Sequence, residues 1–80
     1  MTVEELLSKA KLRATHQRKV VLSLLIEKAS PLSHSEISSM LTEPLDKVTL
    51  YRTLQTLKTY GIVHQVQGLD GVWCFCAHDP

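Results

Sequence analysis

The chain reads as a mainly α domain with a small β-hairpin, on three observations. Apolar residues recur at helical spacing in four stretches, the first of them short, and capping residues stand ahead of those stretches. After Gly61 the period falls to two. The two alternating runs that follow are separated by Gly68-Leu69-Asp70-Gly71, a turn-forming sequence. At 80 residues, the chain has room for one domain, 1–80, with one core.

The first helix is expected from about Val3 to Ala10. Thr2-Val3-Glu4-Glu5 matches a capping box, and Val3, Leu6, Leu7 and Ala10 share the inward side. Lys11-Leu12-Arg13-Ala14 is read as a connector. Thr15 caps a second helix from His16 to about Lys28, in which Val21, Leu24 and Leu25 recur at the right interval. It is apolar almost all round between Val20 and Ile26, which places it in the middle of the domain.

The third start signal follows Ser30-Pro31. Ser33 and Glu36 form a capping box, and Leu32 and Ile37 stand at the two positions of a hydrophobic staple. Ile37, Met40 and Leu41 are expected to face the core, and Thr42-Glu43-Pro44 ends the helix because the residue before a proline resists the helical region.

The fourth helix, 47–60, carries the most information. Asp46 is placed to cap it and Gly61 to end it in the left-handed conformation. At 100° per residue Leu50, Leu54 and Leu57 form a narrow stripe, while Arg52, Gln55, Thr56 and Thr59 lie opposite. No carboxylate occurs from Val48 to Tyr60. A face meant only for solvation ordinarily mixes acids with bases, since opposite charges four apart support a helix. An acid-free face suits a polyanion.

Ile62-Val63-His64-Gln65-Val66 and Val72-Trp73-Cys74-Phe75-Cys76 then form the hairpin, with Trp73 and Phe75 as its inward pair. Helices with a short turn before the last, followed by a hairpin, describe a winged helix-turn-helix: three to four helices plus a two-stranded antiparallel wing.

Charge distribution agrees with that reading. The formal net charge is only +1, yet Lys9, Lys11, Arg13, Arg18 and Lys19 lie within eleven positions that contain no acid. On the fourth helix Arg52 can give two hydrogen bonds to guanine and Gln55 can pair with adenine, while Val48 and the Tyr51 ring can touch thymine methyls. The expected DNA-contacting set is Arg13, Thr15, Arg18, Lys19, Val48, Thr49, Tyr51, Arg52 and Gln55. Within it Arg13 is placed for a narrow minor groove, and Thr15, Arg18 and Lys19 for phosphates. The plainer alternatives are a Tyr51 ring packed on the third helix and an Arg52 that is only a surface cation. Taken singly, Lys9, Lys11 and Lys19 read as solvated.

Other chemistry finds less support. Cys74 and Cys76, two apart on one strand face with His78 behind them, make three weak candidate metal ligands and lack a fourth. They read first as ordinary half-buried strand cysteines. His16, His34 and His64 are scattered and read as surface or cap-adjacent residues. No nucleophile context or phosphate-binding glycine loop points to an enzyme. No apolar run of 18 residues and no basic segment leading into an apolar one suggests a membrane or secretion signal, so a cytoplasmic location is expected.

Thr15-His16-Gln17-Arg18, Leu32-Ser33-His34-Ser35-Glu36-Ile37, Val48-Thr49-Leu50-Tyr51-Arg52-Thr53-Leu54 and Gly61-Ile62-Val63, in that spacing, resemble the N-terminal DNA-binding domain of the ferric uptake regulator family. The resemblance implies a bacterial metal- or peroxide-responsive transcription regulator, usually a repressor, that binds A·T-rich palindromic operators on double-stranded DNA as a homodimer. It implies DNA contacts by Tyr51 and Arg52, a minor-groove contact by Arg13, and Arg18 as the cation of the helix-start motif. For a full-length member it also implies a C-terminal dimerisation domain and a divalent metal (Fe, Zn or Mn). This chain stops at Asp79-Pro80, and a monomer or weak dimer is expected of it. The family's sensory site commonly takes a histidine from the loop before the third helix and a carboxylate from the second wing strand. Pro31 and Cys74 are read at those places, so no metal ligand is carried over. The competing reading is a winged helix used for protein association, whose binding would lack the steep salt dependence of phosphate contacts.

Overall fold

The computed structural model describes residues 2–28, 30–68 and 70–77. They form α1 (Val3–Lys9), α2 (His16–Lys28), β1 (Leu32–Ser33), α3 (His34–Met40), α4 (Lys47–Thr59), β2 (His64–Gln67) and β3 (Trp73–Cys76). This is the expected winged helix-turn-helix, with one strand more than the sequence suggested.

In α1, the Thr2 hydroxyl accepts from Glu5 N at 3.1 Å. Of its expected inward set, Leu7 is fully buried, Val3 and Leu6 pack at the core's edge, and Ala10 is the half-buried C-cap. The helix ends on Lys11 at φ 61°, with Lys11 N donating to Ser8 O and Leu12 N to Leu7 O. That is a Schellman stop built on a residue with a side chain.

The second helix begins where Arg18 N meets the Thr15 hydroxyl at 3.4 Å. It contacts α1, α3, α4 and β3, as a helix apolar on most sides must. Val21, Leu22 and Leu25 are fully buried, whereas Ile26 is partly exposed.

In α3 the capping box is complete: Glu36 N donates to Ser33 Oγ at 3.1 Å, and Ser33 N to Glu36 Oε1 at 3.0 Å. Both staple positions, Leu32 and Ile37, are buried. Met40, expected inward, is 41% exposed. It lies 60° from Ile37 on the helical wheel, and the short peripheral helix buries only the stripe centred on Ile37. The helix stops before Pro44 would require, at Leu41, whose backbone is extended.

Helix α4 packs on α2 and α3 through Leu50, Leu54 and Leu57, all fully buried. Thr53 joins this stripe, its hydroxyl donating to Thr49 O at 2.8 Å, so the buried oxygen is satisfied. At the far end Gly61 takes φ 77°, Gly61 N donates to Lys58 O and Ile62 N to Leu57 O, the second Schellman stop.

The sheet order is β1-β3-β2, antiparallel throughout. Leu32 pairs with Phe75 and Ser33 with Cys74. Two residues are too few to show a period, which is why β1 was hidden in the staple and cap of α3. On the other side His64 pairs with Cys76 and Gln67 with Trp73. Ile62 and Val63, expected in the strand, instead complete the helix stop and cover the core. Val72 belongs to the turn, its N–H donating to Asp70 Oδ1 at 3.2 Å.

Phe75 is buried as expected, but Trp73 is 53% exposed. Alternation puts both on one face, yet Trp73 pairs with Gln67 at the tip end of the hairpin, past the reach of the helices.

Candidate nucleic-acid interface

Capping fixes where the exposed face of α4 begins. Thr49 N donates to Asp46 Oδ2 at 3.2 Å, and the Thr49 hydroxyl donates to Asp46 Oδ1. The hydroxyl bond, then the amide bond, hold the Asp46 carboxyl below the usual carboxylate range. Thr49 is therefore turned toward the cap, which leaves Val48, Tyr51 and Arg52 as the forward side chains of the helix. Val48 and Tyr51 are each 55% exposed, a large apolar area for a domain of this size.

Two hollows flank these residues. The first, about 310 Å³, lies between the start of α2 and the middle of α4 and is lined by Thr15, Gln17, Arg18, Thr49, Arg52, Thr53 and Thr56. Hydroxyls, an amide and two guanidinium groups line it, without a carboxylate. The second, about 490 Å³, is lined by His34, Lys47, Val48, Tyr51 and Arg52. Arg52 stands on the ridge between them. Tyr51 lines the second hollow together with His34 of α3 and stays largely exposed.

The connector is tied to this surface. Arg18 Nη1 donates to Arg13 O at 2.9 Å, and Thr15 N donates to the same oxygen at 3.0 Å. The exposed Arg13 side chain is thus carried on backbone anchored at the start of α2. His16 makes a further tie, its Nε2 lying 2.8 Å from Glu43 Oε2 on the segment between α3 and α4. Both side chains are about two-thirds exposed, so the pair contributes little stability, but it ties the start of α2 to the segment that leads into α4.

Of the residues expected to meet DNA, Thr15, Arg18, Thr49 and Arg52 come together in the first hollow, and Val48, Tyr51 and Arg52 in the second. Arg13 joins through its backbone bond to Arg18. Gln55 is half-buried on α4 and Lys19 half-buried on α2, and neither lines a hollow. Gln17, Thr53, Thr56, Lys47 and His34 do line them and are absent from the expected set. Thr56 carried a signal, since it shares the acid-free arc of α4 with Arg52. His34 carried none, because the turn that brings α3 beside Tyr51 is a tertiary feature.

Cys74 and Cys76 are the candidate metal ligands of the wing. Cys74 and Cys76 are half-buried on one face of β3, with Val66 and His64 as their respective partners on β2. Burial, then the negative charges of Glu36 and Asp70, push the Cys74 thiol up, which disfavours the thiolate a metal needs. Cys74 lies across from Ser33, so the two places read for the family's sensory pair, Pro31 and Cys74, are out of register. Among the described residues no group of three His, Cys, Asp or Glu side chains is placed to hold a metal ion. The donor set does not fit one, and His78 lies outside the described residues. Among the described residues, no helix is long and apolar enough to cross a membrane.

The sequence matches the profile of the ferric uptake regulator family over residues 9–78. No curated protein gives a significant match. Among solved structures, the chain is similar to the ferric uptake regulator of Vibrio cholerae, with 25% identity, TM-score 0.82, 95% of this chain and 61% of that one covered. It is similar also to the ferric uptake regulator of Pseudomonas aeruginosa solved with manganese, with 26% identity, TM-score 0.84, and 99% and 62% covered. A zinc-bound manganese uptake regulator shares the fold at 23% identity and TM-score 0.85, with 99% and 62% covered. The chain thus spans about three-fifths of the length of these solved chains.

Proposed function

The chain belongs to the ferric uptake regulator family, and on that premise we propose that it is the DNA-binding part of a bacterial transcriptional repressor acting in the cytoplasm. It reads A·T-rich palindromic operators with α4, in a protein that pairs with a second copy to cover both half-sites. The observation that carries this reading is the hollow between the start of α2 and α4, whose lining holds no carboxylate. There Arg18, Arg52 and a row of hydroxyls line one hollow, while Val48 and Tyr51 stand exposed beside it.

The two parts of that surface suit the two parts of DNA recognition. Cations, hydroxyls and amides fix a protein on the phosphates, and a bidentate Arg52 with the apolar Val48 and Tyr51 discriminates base edges. Arg13, on the anchored connector, extends the contact toward the adjacent minor groove. Among the described residues no set of metal ligands is assembled, and no part of this reading passes through a metal.

Fluorescence anisotropy with an A·T-rich palindromic duplex and a G·C-rich control of equal length tests the reading. Tighter binding to the palindrome is expected. Tyr51→Ala removes the preference at a cost of about 1 to 3 kcal/mol for the palindrome. Equal affinity for both duplexes, unchanged in the mutant, would refute base reading by α4. Binding that ignores salt would favour a protein partner instead.

A further inference from the structure

The second hollow has one wall that the DNA-contacting set above does not use. His34, the first residue of α3, is half-buried there, facing Lys47, Val48, Tyr51 and Arg52 of α4. We infer that His34 is a further DNA-contacting residue whose protonated ring bonds a backbone phosphate, so that DNA affinity rises as pH falls. This rests on the reading of α4 as the helix that enters the groove.

The placement follows from the two-helix geometry. When the second helix of such a pair lies in the major groove, the first crosses the backbone that borders it. His34 is on that first helix and shares its hollow with Val48, Tyr51 and Arg52. A duplex that fills the hollow therefore sets a phosphate beside the ring. The hollow's walls are mostly apolar and its charges are the cations Lys47 and Arg52, which complements DNA.

Imidazole is the side chain that gains its charge between about pH 8 and pH 5. The charged and titratable groups around this ring decide which state gains most. From α4 it meets Lys47, Tyr51 and Arg52. On its own helix, Glu36 has turned its Oε1 back onto Ser33 N at 3.0 Å. Across the sheet, Cys74 stands opposite Ser33 and its thiol is pushed up, so it adds no charge near neutrality. A phosphate bound beside the ring favours its cationic form. Protonation and DNA binding then favour each other, and by linkage the affinity must follow pH.

Titrations at about pH 6 and about pH 8 at fixed ionic strength, with wild type, His34→Ala, His34→Lys and Arg52→Ala, test this. Wild type is expected to bind roughly tenfold tighter at the lower pH, the size of one charge-assisted hydrogen bond. His34→Ala abolishes the difference by losing the low-pH gain. His34→Lys, a permanent cation, binds tightly at both values. Arg52→Ala weakens binding at both and keeps the ratio. Circular dichroism at both pH values confirms that the variants are folded. A wild-type pH ratio in His34→Ala, or a His34→Lys protein no tighter than His34→Ala at the higher pH, overturns the inference while leaving the reading of α4 intact. Absence of duplex binding by wild type at both values overturns that reading, and this inference with it.

Discussion

Asp46 and Arg52 show how one residue's environment sets its part. The Asp46 carboxylate accepts from both the hydroxyl and the amide of Thr49, so its folded-state pKa lies below the ordinary aspartate value. A lowered folded pKa means that the cap's stabilisation is fully present above the unfolded carboxylate range. It is lost as pH falls through the folded value. Wild type should therefore lose stability on acidification below about pH 4 more steeply than Asp46→Asn, which keeps a capping side chain but cannot titrate. Thermal melts across that range check it, and parallel losses in the two proteins would contradict it. The place of Arg52 on the candidate face was legible in the sequence because it sits in an acid-free arc of α4. The place of His34 beside Tyr51 was not, because it depends on the helix that the fold brings opposite.

At the scale of the element, helix starts were the most legible feature. Thr2, Thr15, Ser33 and Asp46 are the caps that the sequence predicts, and each side chain accepts from the backbone three residues on. These are local hydrogen bonds, specified by neighbours in sequence. The stop of α1 was not legible, since Lys11 adopts φ 61° where glycine is the usual choice. The two Schellman stops give opposite predictions. Gly61, at φ 77°, has nothing within 4 Å of a built Cβ, so Gly61→Ala should cost only the left-handed strain, about 1 kcal/mol. Lys11→Gly should stabilise by a similar amount, about 1 kcal/mol. Urea denaturation of both variants checks the pair, and shifts of the same sign would contradict the shared geometry.

Across the whole molecule, what the sequence concealed was tertiary. Strand β1 exists because β3 is there to pair with it, and its Leu32 and Ser33 were visible only as staple and cap. Trp73 alternates correctly with Phe75, yet helices of finite length leave it uncovered. Met40 and Ile26 are exposed for the same reason: a small core has few layers, and side chains at the edge of a stripe meet water. The core stripe of α4, by contrast, followed directly from Leu50, Leu54 and Leu57, and fixing that inward side fixed the outward one. The candidate interface was therefore legible on α4 and at the start of α2. Its contributions from α3 and from Gln17 depended on how the helices meet.

The measurement that bears most directly on this account is a titration of the isotopically labelled protein with a short A·T-rich duplex, followed by amide and side-chain chemical shifts. Perturbations are expected to gather at Thr15, Arg18, Thr49, Tyr51 and Arg52, the residues that line the two hollows. Raising the salt should reduce them together. Perturbations confined to the sheet or to α1, or none at protein and duplex concentrations near a millimolar, would contradict the assignment of the α2–α4 surface to DNA.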